Sequence, residues 1–162
     1  MKHYAEIDQS GKFADTRVCT VLAIANHVRY SVLVKATTKR SLVIFLRKHR
    51  ISPQRFYIAL FTVCIFFLIR ENLSELQGES ITVDIEYTGH NRGITDTLLR
   101  LCKANNIKLS NERILFDYIG KKSSAHKLAI KTFRGEEKAG RTLKEDEFIE
   151  QLKEIGYLKG KG

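Results

Sequence analysis

Apolar and polar residues are arranged along the first 35 positions in a way that predicts β-strands. Three segments rich in β-branched, aromatic and other apolar residues, 4–8, 17–25 and 29–35, are separated by short polar turns. Consecutive strands with such short connections are typical of an antiparallel meander. The chain is therefore predicted to begin with three antiparallel strands.

The spacing of apolar residues becomes helical after this meander. Either Thr38 or Ser41 can cap a first amphipathic helix, and Ser52 followed by Pro53 is a typical helix start. The next helix is apolar over residues 56–69 except for one threonine. Because a membrane-spanning helix needs about 20 apolar residues, we interpret this segment as a helix buried on nearly all sides. A membrane anchor is the alternative.

The second half of the chain alternates strands with helices. Residues 81–87 alternate strictly between apolar and polar, and residues 114–119 form a fifth apolar strand. A capping box at 142–145 predicts a last helix over about 143–155. Together these elements predict one α/β domain over residues 1–162. Its mixed sheet has five strands, a three-stranded antiparallel meander followed by αβαβα, with helices on both faces.

The chain carries 28 Lys and Arg against 18 Asp and Glu, a formal charge of +10. A fold does not need this excess, so it indicates a partner. Nucleic acid is the first interpretation, through counterion release from phosphates; an anionic membrane and simple solubility are the alternatives. Cys19, Cys64 and Cys102 have no metal-ligand spacing, and the N-terminal segment lacks the apolar stretch of a signal peptide. These features predict core cysteines in a reducing, cytoplasmic compartment.

Carboxylates follow or line three of the predicted strands. Asp8 ends the first strand, Asp84 and Glu86 share one face of the fourth, and Asp117 lies on the fifth. If the first and fourth strands are neighbours, Asp8, Asp84 and Glu86 converge at one edge of the sheet. Clustered carboxylates repel one another and are kept mainly to bind a hard cation, here Mg²⁺ or Mn²⁺. The alternative, favoured on spacing alone, is that Asp84 and Glu86 simply face solvent.

The order of elements over about 3–133 resembles the ribonuclease H-like fold, which also begins with a three-stranded meander carrying an acid on its first strand. Residues 8–11, Asp-Gln-Ser-Gly, resemble the Asp-Glu-Ser-Gly or Asp-Glu-Ala-Gly start of type 2 ribonucleases H and related nuclease-like proteins. Residues 83–87 fall where that superfamily places its next acid. Residues 121–129 resemble the segment leading into a late helix, where those families carry their last metal-binding or substrate-binding side chain.

Two positions depart from the family pattern. Gln9 stands where type 2 ribonucleases H have a second acid, so the metal site depends on Asp84 and Glu86 for the missing charge. His126 occupies the place of the last acid, where the resemblance implies a metal ligand or a group that assists product release. Asp117 is the alternative for that place if the register differs.

Lysines at a helix N-terminus, and basic or hydroxyl residues close to the acidic positions, are typical phosphate contacts. A solvated loop is the alternative interpretation for the same residues. The predicted nucleic-acid contacts are Lys12, Lys121, Lys122, Ser123 and Lys127.

Two functions of different classes follow from these observations. The first is a metal-dependent nuclease acting on RNA, an RNA–DNA hybrid or branched DNA, with Asp8, Asp84, Glu86 and His126 as the catalytic residues and with Asp117 as a further metal ligand. The second is a nucleic-acid-binding or assembly module on the same fold without catalysis, which the uncharged Gln9 suggests. A membrane-associated protein that uses the apolar helix over 56–69 is a third class.

Overall fold

Six strands and five helices make up the computed structural model, which describes residues 4–156. The strands are β1 (Tyr4–Ser10), β2 (Thr20–Asn26), β3 (Val28–Val34), β4 (Ser80–Asp84), β5 (Ile114–Asp117) and β6 (Arg141–Thr142). The helices are α1 (Ala36–Lys48), α2 (Pro53–Arg70), α3 (Asn91–Ala104), α4 (Ser124–Phe133) and α5 (Glu145–Glu154).

All six strands belong to one mixed sheet in the order β5-β4-β1-β2-β3-β6. β1, β2 and β3 form the antiparallel meander that the sequence predicts. β4 then pairs with β1 in parallel, and β5 pairs with β4 in parallel. The α/β class and the mixed sheet are therefore confirmed. The C-terminal ends of β1, β4 and β5 meet at one edge.

The prediction of five strands is wrong, because β6 adds a sixth. Thr142 pairs with Leu33 of β3 in parallel, and the Leu143 amide donates to the Leu33 carbonyl at 2.9 Å. A strand of two residues is too short to show any periodicity, so the sequence pattern gives no sign of it. The predicted capping box at 142–145 is displaced because Thr142 belongs to β6 and α5 begins only at Glu145. The box instead joins Lys144 and Glu147, whose carboxylate accepts from the Lys144 amide at 2.9 Å.

Helices cover both faces of the sheet, as predicted. The alternating residues of β2 divide the core: Leu22 and Ile24 join the larger apolar cluster around α2, while Val21 and Ala23 join a smaller one beneath α4. α2 is long and apolar enough by length and composition to cross a membrane, but most of its residues are buried inside the protein. Core helices pass the same test, so we retain the interpretation of a buried helix.

Several element boundaries differ from the predicted ones. α1 begins at Ala36, with Lys35 at the N-cap position, rather than after Thr38 or Ser41. β1 continues through Ser10, beyond the end predicted at residue 8. The extra residues pair with β2, so long-range pairing extends the strand where the local sequence favours a turn. The predicted frayed end at 159–162 lies outside the described residues.

Candidate functional site

Asp8 and Asp84 lie side by side at the ends of two neighbouring parallel strands. The register pairs Ile7 of β1 with Val83 of β4, and both of these side chains are fully buried in the larger core. Since side chains alternate along a strand, the two aspartates that follow them lie on the opposite face of the sheet, the face on which α4 packs over β1, β2 and β3. The first and fourth strands are neighbours. The predicted convergence of the acids required this arrangement, which the sequence alone could not test.

Glu86 completes a cluster of three carboxylates. It follows the end of β4 by two residues, and one oxygen from each of Asp8, Asp84 and Glu86 lies within 4.8 Å of the other two. Oxygen ligands around a magnesium ion stand about 3 to 4 Å apart, since each is about 2.1 Å from the metal. Asp8 is only 4% exposed, and the other two side chains are half-buried. The spacing therefore suits a shared cation after small side-chain movements.

Two of the three carboxylates have raised pKa values. Burial, with added repulsion from Asp84 and Asp8, raises the pKa of Glu86 from 4.5 to about 7. Burial also raises the pKa of Asp84, with a further contribution from Asp8 and an opposing one from the Ile119 amide. A carboxylate with a raised pKa gains from a nearby cation, because the cation replaces the proton as the neutralising charge.

His126 reaches this cluster from α4. Its Nδ1 atom lies 2.7 Å from Asp8 Oδ2, while Asp8 Oδ1 accepts from the Gln9 amide at 2.9 Å. An ionised carboxylate only accepts hydrogen bonds, so Nδ1 carries the hydrogen in this contact. His126 is therefore beside the acids, where the family resemblance expects a functional side chain. It contacts Asp8 without being one of the three residues whose ligand atoms lie within 4.8 Å of one another. Its catalytic role stays a prediction.

Asp117 lies one strand further out. It pairs with Asp84 in the β4–β5 register, so both side chains are on the same face, but Asp117 is exposed and is not part of the three-carboxylate cluster. Its Oδ1 atom accepts from the Tyr118 amide at 2.8 Å. The segment after β5 instead supports Asp84, whose Oδ1 atom accepts from the Ile119 amide at 2.8 Å.

Gln9 lies on the opposite face of β1 from Asp8. It pairs with Leu22, a residue of the larger core, and its Oε1 atom is buried with no hydrogen-bond partner among residues 4–156. The Gln9 side chain therefore lies on the wrong face of β1 to join the carboxylate cluster. Gly11 ends the strand with φ +81°, and a Cβ atom there would stand 2.3 Å from the Cys19 carbonyl oxygen. The tight turn after Asp8 thus requires glycine.

Lys12 is a predicted phosphate contact whose positive charge acts on the cluster. It partly opposes the rise in the pKa of Glu86. The backbone of Lys12 is held by a buried lysine, Lys39, which the sequence did not single out. Lys39 is 1% exposed and its Nζ atom donates to the Lys12 carbonyl and to Thr20 Oγ1, each at 2.9 Å. Burial lowers the pKa of Lys39 to about 8. Nothing in the sequence distinguishes Lys39 from the other basic residues of α1.

Ser123, one of the predicted phosphate contacts, is the N-cap of α4, and its hydroxyl both donates and accepts inside the protein. The Oγ atom accepts from the Ala125 amide at 3.1 Å and donates to Glu6 Oε1 at 2.8 Å. Glu6 was not predicted, although strand alternation places it on the same face as Asp8. The remaining predicted contacts, Lys121, Lys122 and Lys127, are exposed around the start of α4, as a phosphate contact requires.

The fold and the site define an α/β protein with a mixed six-stranded sheet and an acidic cluster, at one sheet edge, that could hold a metal ion. Comparisons of the chain with protein-family models, with curated proteins and with solved structures find no match.

Proposed function

We propose that this protein is a divalent-metal-dependent nuclease that hydrolyses phosphodiester bonds in RNA, RNA–DNA hybrid or branched DNA. One observation carries the proposal: Asp8, Asp84 and Glu86 converge within 4.8 Å at the ends of adjacent parallel strands. Burying three acids together is unfavourable unless a cation neutralises them. Mg²⁺ and Mn²⁺ are the cations that oxygen ligands of this kind favour.

The charge distribution supports a nucleic acid as the substrate. The chain carries a formal charge of +10. The charge of Lys12 acts on Glu86, and the exposed Lys121 and Lys122 precede α4, whose His126 contacts Asp8. A phosphodiester could be held by these lysines while its scissile phosphate approaches the acids.

The resemblance to ribonuclease H-like nucleases is in keeping with the same arrangement. An acid on the first strand, further acids on the fourth and a functional side chain on a late helix are what that resemblance implies. Asp8 lies on β1, Asp84 on β4 and His126 near the start of α4, while Glu86 follows β4 by two residues. The family assignment itself is part of the proposal.

Each residue then has a defined task. Asp8, Asp84 and Glu86 would hold the metal, which would activate a water molecule and stabilise the leaving oxygen. His126 fixes the Asp8 carboxylate through the bond to Oδ2 and keeps its other ring nitrogen for proton transfer. Lys39 holds the turn that carries Lys12.

A nucleic-acid-binding or assembly module without catalysis is the second candidate. Gln9 favours it, because the position that bears a second acid in type 2 ribonucleases H is uncharged here and lies on the core face of β1. The binding surface would be the same, and the acids would then hold a structural cation.

Cleavage assays distinguish the two candidates. Labelled single-stranded RNA, RNA–DNA hybrid and four-way DNA junctions are incubated with the protein and Mn²⁺, using Asp8→Asn as the test variant and Asp96→Asn, an exposed acid on α3, as the matched control. We expect Asp8→Asn to lose at least about 10- to 100-fold in rate, since removing even a group that only supports a metal ligand costs that much, and Asp96→Asn to match the wild type. Equal cleavage by Asp8→Asn and wild type would sink the nuclease proposal.

Binding measurements complete the test. Association with the same nucleic acids should weaken steeply as salt rises from 50 to 200 mM. Binding that survives chelation, with no cleavage of any substrate, would favour the binding module. A flat response to salt would contradict both candidates.

A further inference from the structure

An open groove lies on the same sheet face as the carboxylate cluster, on the side away from α4. α4 packs on β1, β2 and β3, and beyond it the outward side chains of β4 and β5 form the floor of a depression of about 300 Å³. Glu6, Thr82 and Leu115 form one cross-strand row in this floor. The volume is at the lower end of the range for small-molecule sites.

Three exposed apolar side chains line the groove. Tyr4 is 43% exposed, Leu115 47% and Tyr118 72%, and all three line this groove. Exposed apolar residues that cluster, rather than occur singly, mark interaction sites. Two tyrosines beside a leucine offer flat surfaces against which a planar ring can stack.

The polar groups of the groove select the kind of ring. Glu6 and Asp117 supply carboxylates, which as ions can only accept hydrogen bonds, and Thr82 adds a hydroxyl. Two acids on the floor repel a phosphate or any other anion. They suit a flat, uncharged ligand whose edge carries N–H donors, and a nucleobase with an exocyclic amino group has that chemistry.

The groove is continuous with the carboxylate cluster. Asp117, in the groove, is the cross-strand neighbour of Asp84, and Ile119, also in the groove, donates its amide to Asp84. Neighbouring strands are about 4.8 Å apart, so the groove begins within about one nucleotide of the cluster. The exposed Lys121 and Lys122 follow along the chain, where the adjoining backbone phosphates could be held.

We propose that this groove receives one unpaired nucleobase of the nucleotide next to the scissile phosphate. This proposal extends the proposed nuclease function and rests on it, because only a nuclease has a scissile phosphate. The substrate class follows: nucleic acid with an unpaired base at the cleavage site, such as a single strand, a loop or a junction, rather than a continuous duplex. Within that class, bases with an amino group are preferred over uracil.

The base site can be tested without metal or cleavage. Protein labelled at Leu and Ile methyl groups is titrated in EDTA with the four nucleoside 5′-monophosphates, and methyl shifts are followed by NMR. We expect the shifts to centre on Leu115 and Ile119, with cytidine monophosphate binding about fivefold more tightly than uridine monophosphate, the effect of one hydrogen bond.

Variants separate stacking from general disturbance. Tyr118→Ala should weaken binding at least about fivefold, whereas Tyr118→Phe should retain it, because stacking on a base survives loss of the hydroxyl. Ile44→Ala, which removes an exposed apolar side chain on α1, is the matched control and should have no effect. Shifts that avoid Leu115 and Ile119, or equal binding by Tyr118→Ala and wild type, would overturn the proposal.

A cleavage comparison keeps the two proposals apart. A continuous duplex and the same duplex with one unpaired cytidine are offered with Mn²⁺. We expect wild type to prefer the interrupted duplex at least about fivefold and Tyr118→Ala to lose that preference. Equal cleavage of both substrates, with Asp8→Asn inactive, would refute the groove while the nuclease stands. Nucleotide shifts in the groove with no cleavage of any substrate would refute the nuclease while the base site stands.

Discussion

Replacing Glu86 by glutamine should stabilise the metal-free protein at neutral and alkaline pH. In the folded protein the pKa of Glu86 is raised from 4.5 to about 7, so the folded state holds this proton more tightly than the unfolded chain. The group therefore stabilises the fold fully below pH about 4.5, and this contribution is lost as the pH rises through about 7. Glutamine has no charge to lose and keeps the stability that the protonated acid provides.

The size of the effect follows from the same values. A rise in pKa from 4.5 to about 7 corresponds to about 3 kcal/mol at about 1.36 kcal/mol per pH unit. The side chain is half-buried, so nearby water reduces this figure. We expect Glu86→Gln to exceed the wild type by about 1–3 kcal/mol in free energy of unfolding at pH 8 and to equal it at pH 4.5.

Urea unfolding followed by circular dichroism measures this difference. The three proteins are wild type, Glu86→Gln and the matched control Glu136→Gln, an exposed acid after α4, each in EDTA at pH 4.5, 6 and 8. Adding Mn²⁺ at pH 8 should stabilise the wild type and remove most or all of this difference, since a ligand at 100 times its dissociation constant adds about 2.7 kcal/mol to the protein that binds it. Parallel pH profiles for wild type and Glu86→Gln would refute the reasoning, because they would show that burial and the neighbouring acids do not raise the pKa of Glu86 in the folded protein.

Three further substitutions test the supports of the site. Ser123→Ala removes the cap of α4 and its bond to Glu6 and should lower the free energy of unfolding by about 1–2 kcal/mol in urea titrations; an unchanged midpoint would contradict the capping role. With a pKa lowered to about 8, Lys39 binds its proton less tightly in the folded state, so wild-type stability should rise by about 2–3 kcal/mol between pH 8 and 10.5. Lys39→Met should abolish this rise, and a rise that persists in the variant would assign it to another group. Leu128→Ala opens a cavity in the small cluster beneath α4 and should reduce thermal and urea stability by about 2–4 kcal/mol, unless that cluster contributes nothing.

The spacing of apolar residues predicted those strands and helices that depend on local interactions. Strict alternation over residues 81–87 predicted a strand, and β4 forms over Ser80–Asp84 with Asp84 on the face opposite Val83, but the strand ends there and Glu86 lies two residues beyond it. The two-residue β6 could not be predicted, because its backbone is extended only through pairing with β3.

Convergence of the carboxylates could not be predicted from local spacing. Strand order depends on contacts between distant parts of the chain, so the sequence could state only that Asp8 and Asp84 would meet if the first and fourth strands were neighbours. Lys39 shows the same limit, because its burial depends on the turn after β1 folding over α1. Glu6, in contrast, was within reach of the alternation argument, since it precedes Asp8 by two residues on the same strand.

α4 is the element on which the carboxylate cluster and the proposed base groove both depend. Asp8 and Glu6 are two residues apart on β1, and their partners, His126 and Ser123, are three residues apart near the start of this helix. The bond from His126 does not exclude a cation, because a carboxylate has about four lone-pair positions and Asp8 uses two of them within the protein. Hydrogen bonds of this kind orient a metal-binding carboxylate and raise its affinity. A variant that loosens α4 without touching an acid should therefore weaken Mn²⁺ binding and nucleotide binding together, which no change confined to one site would do.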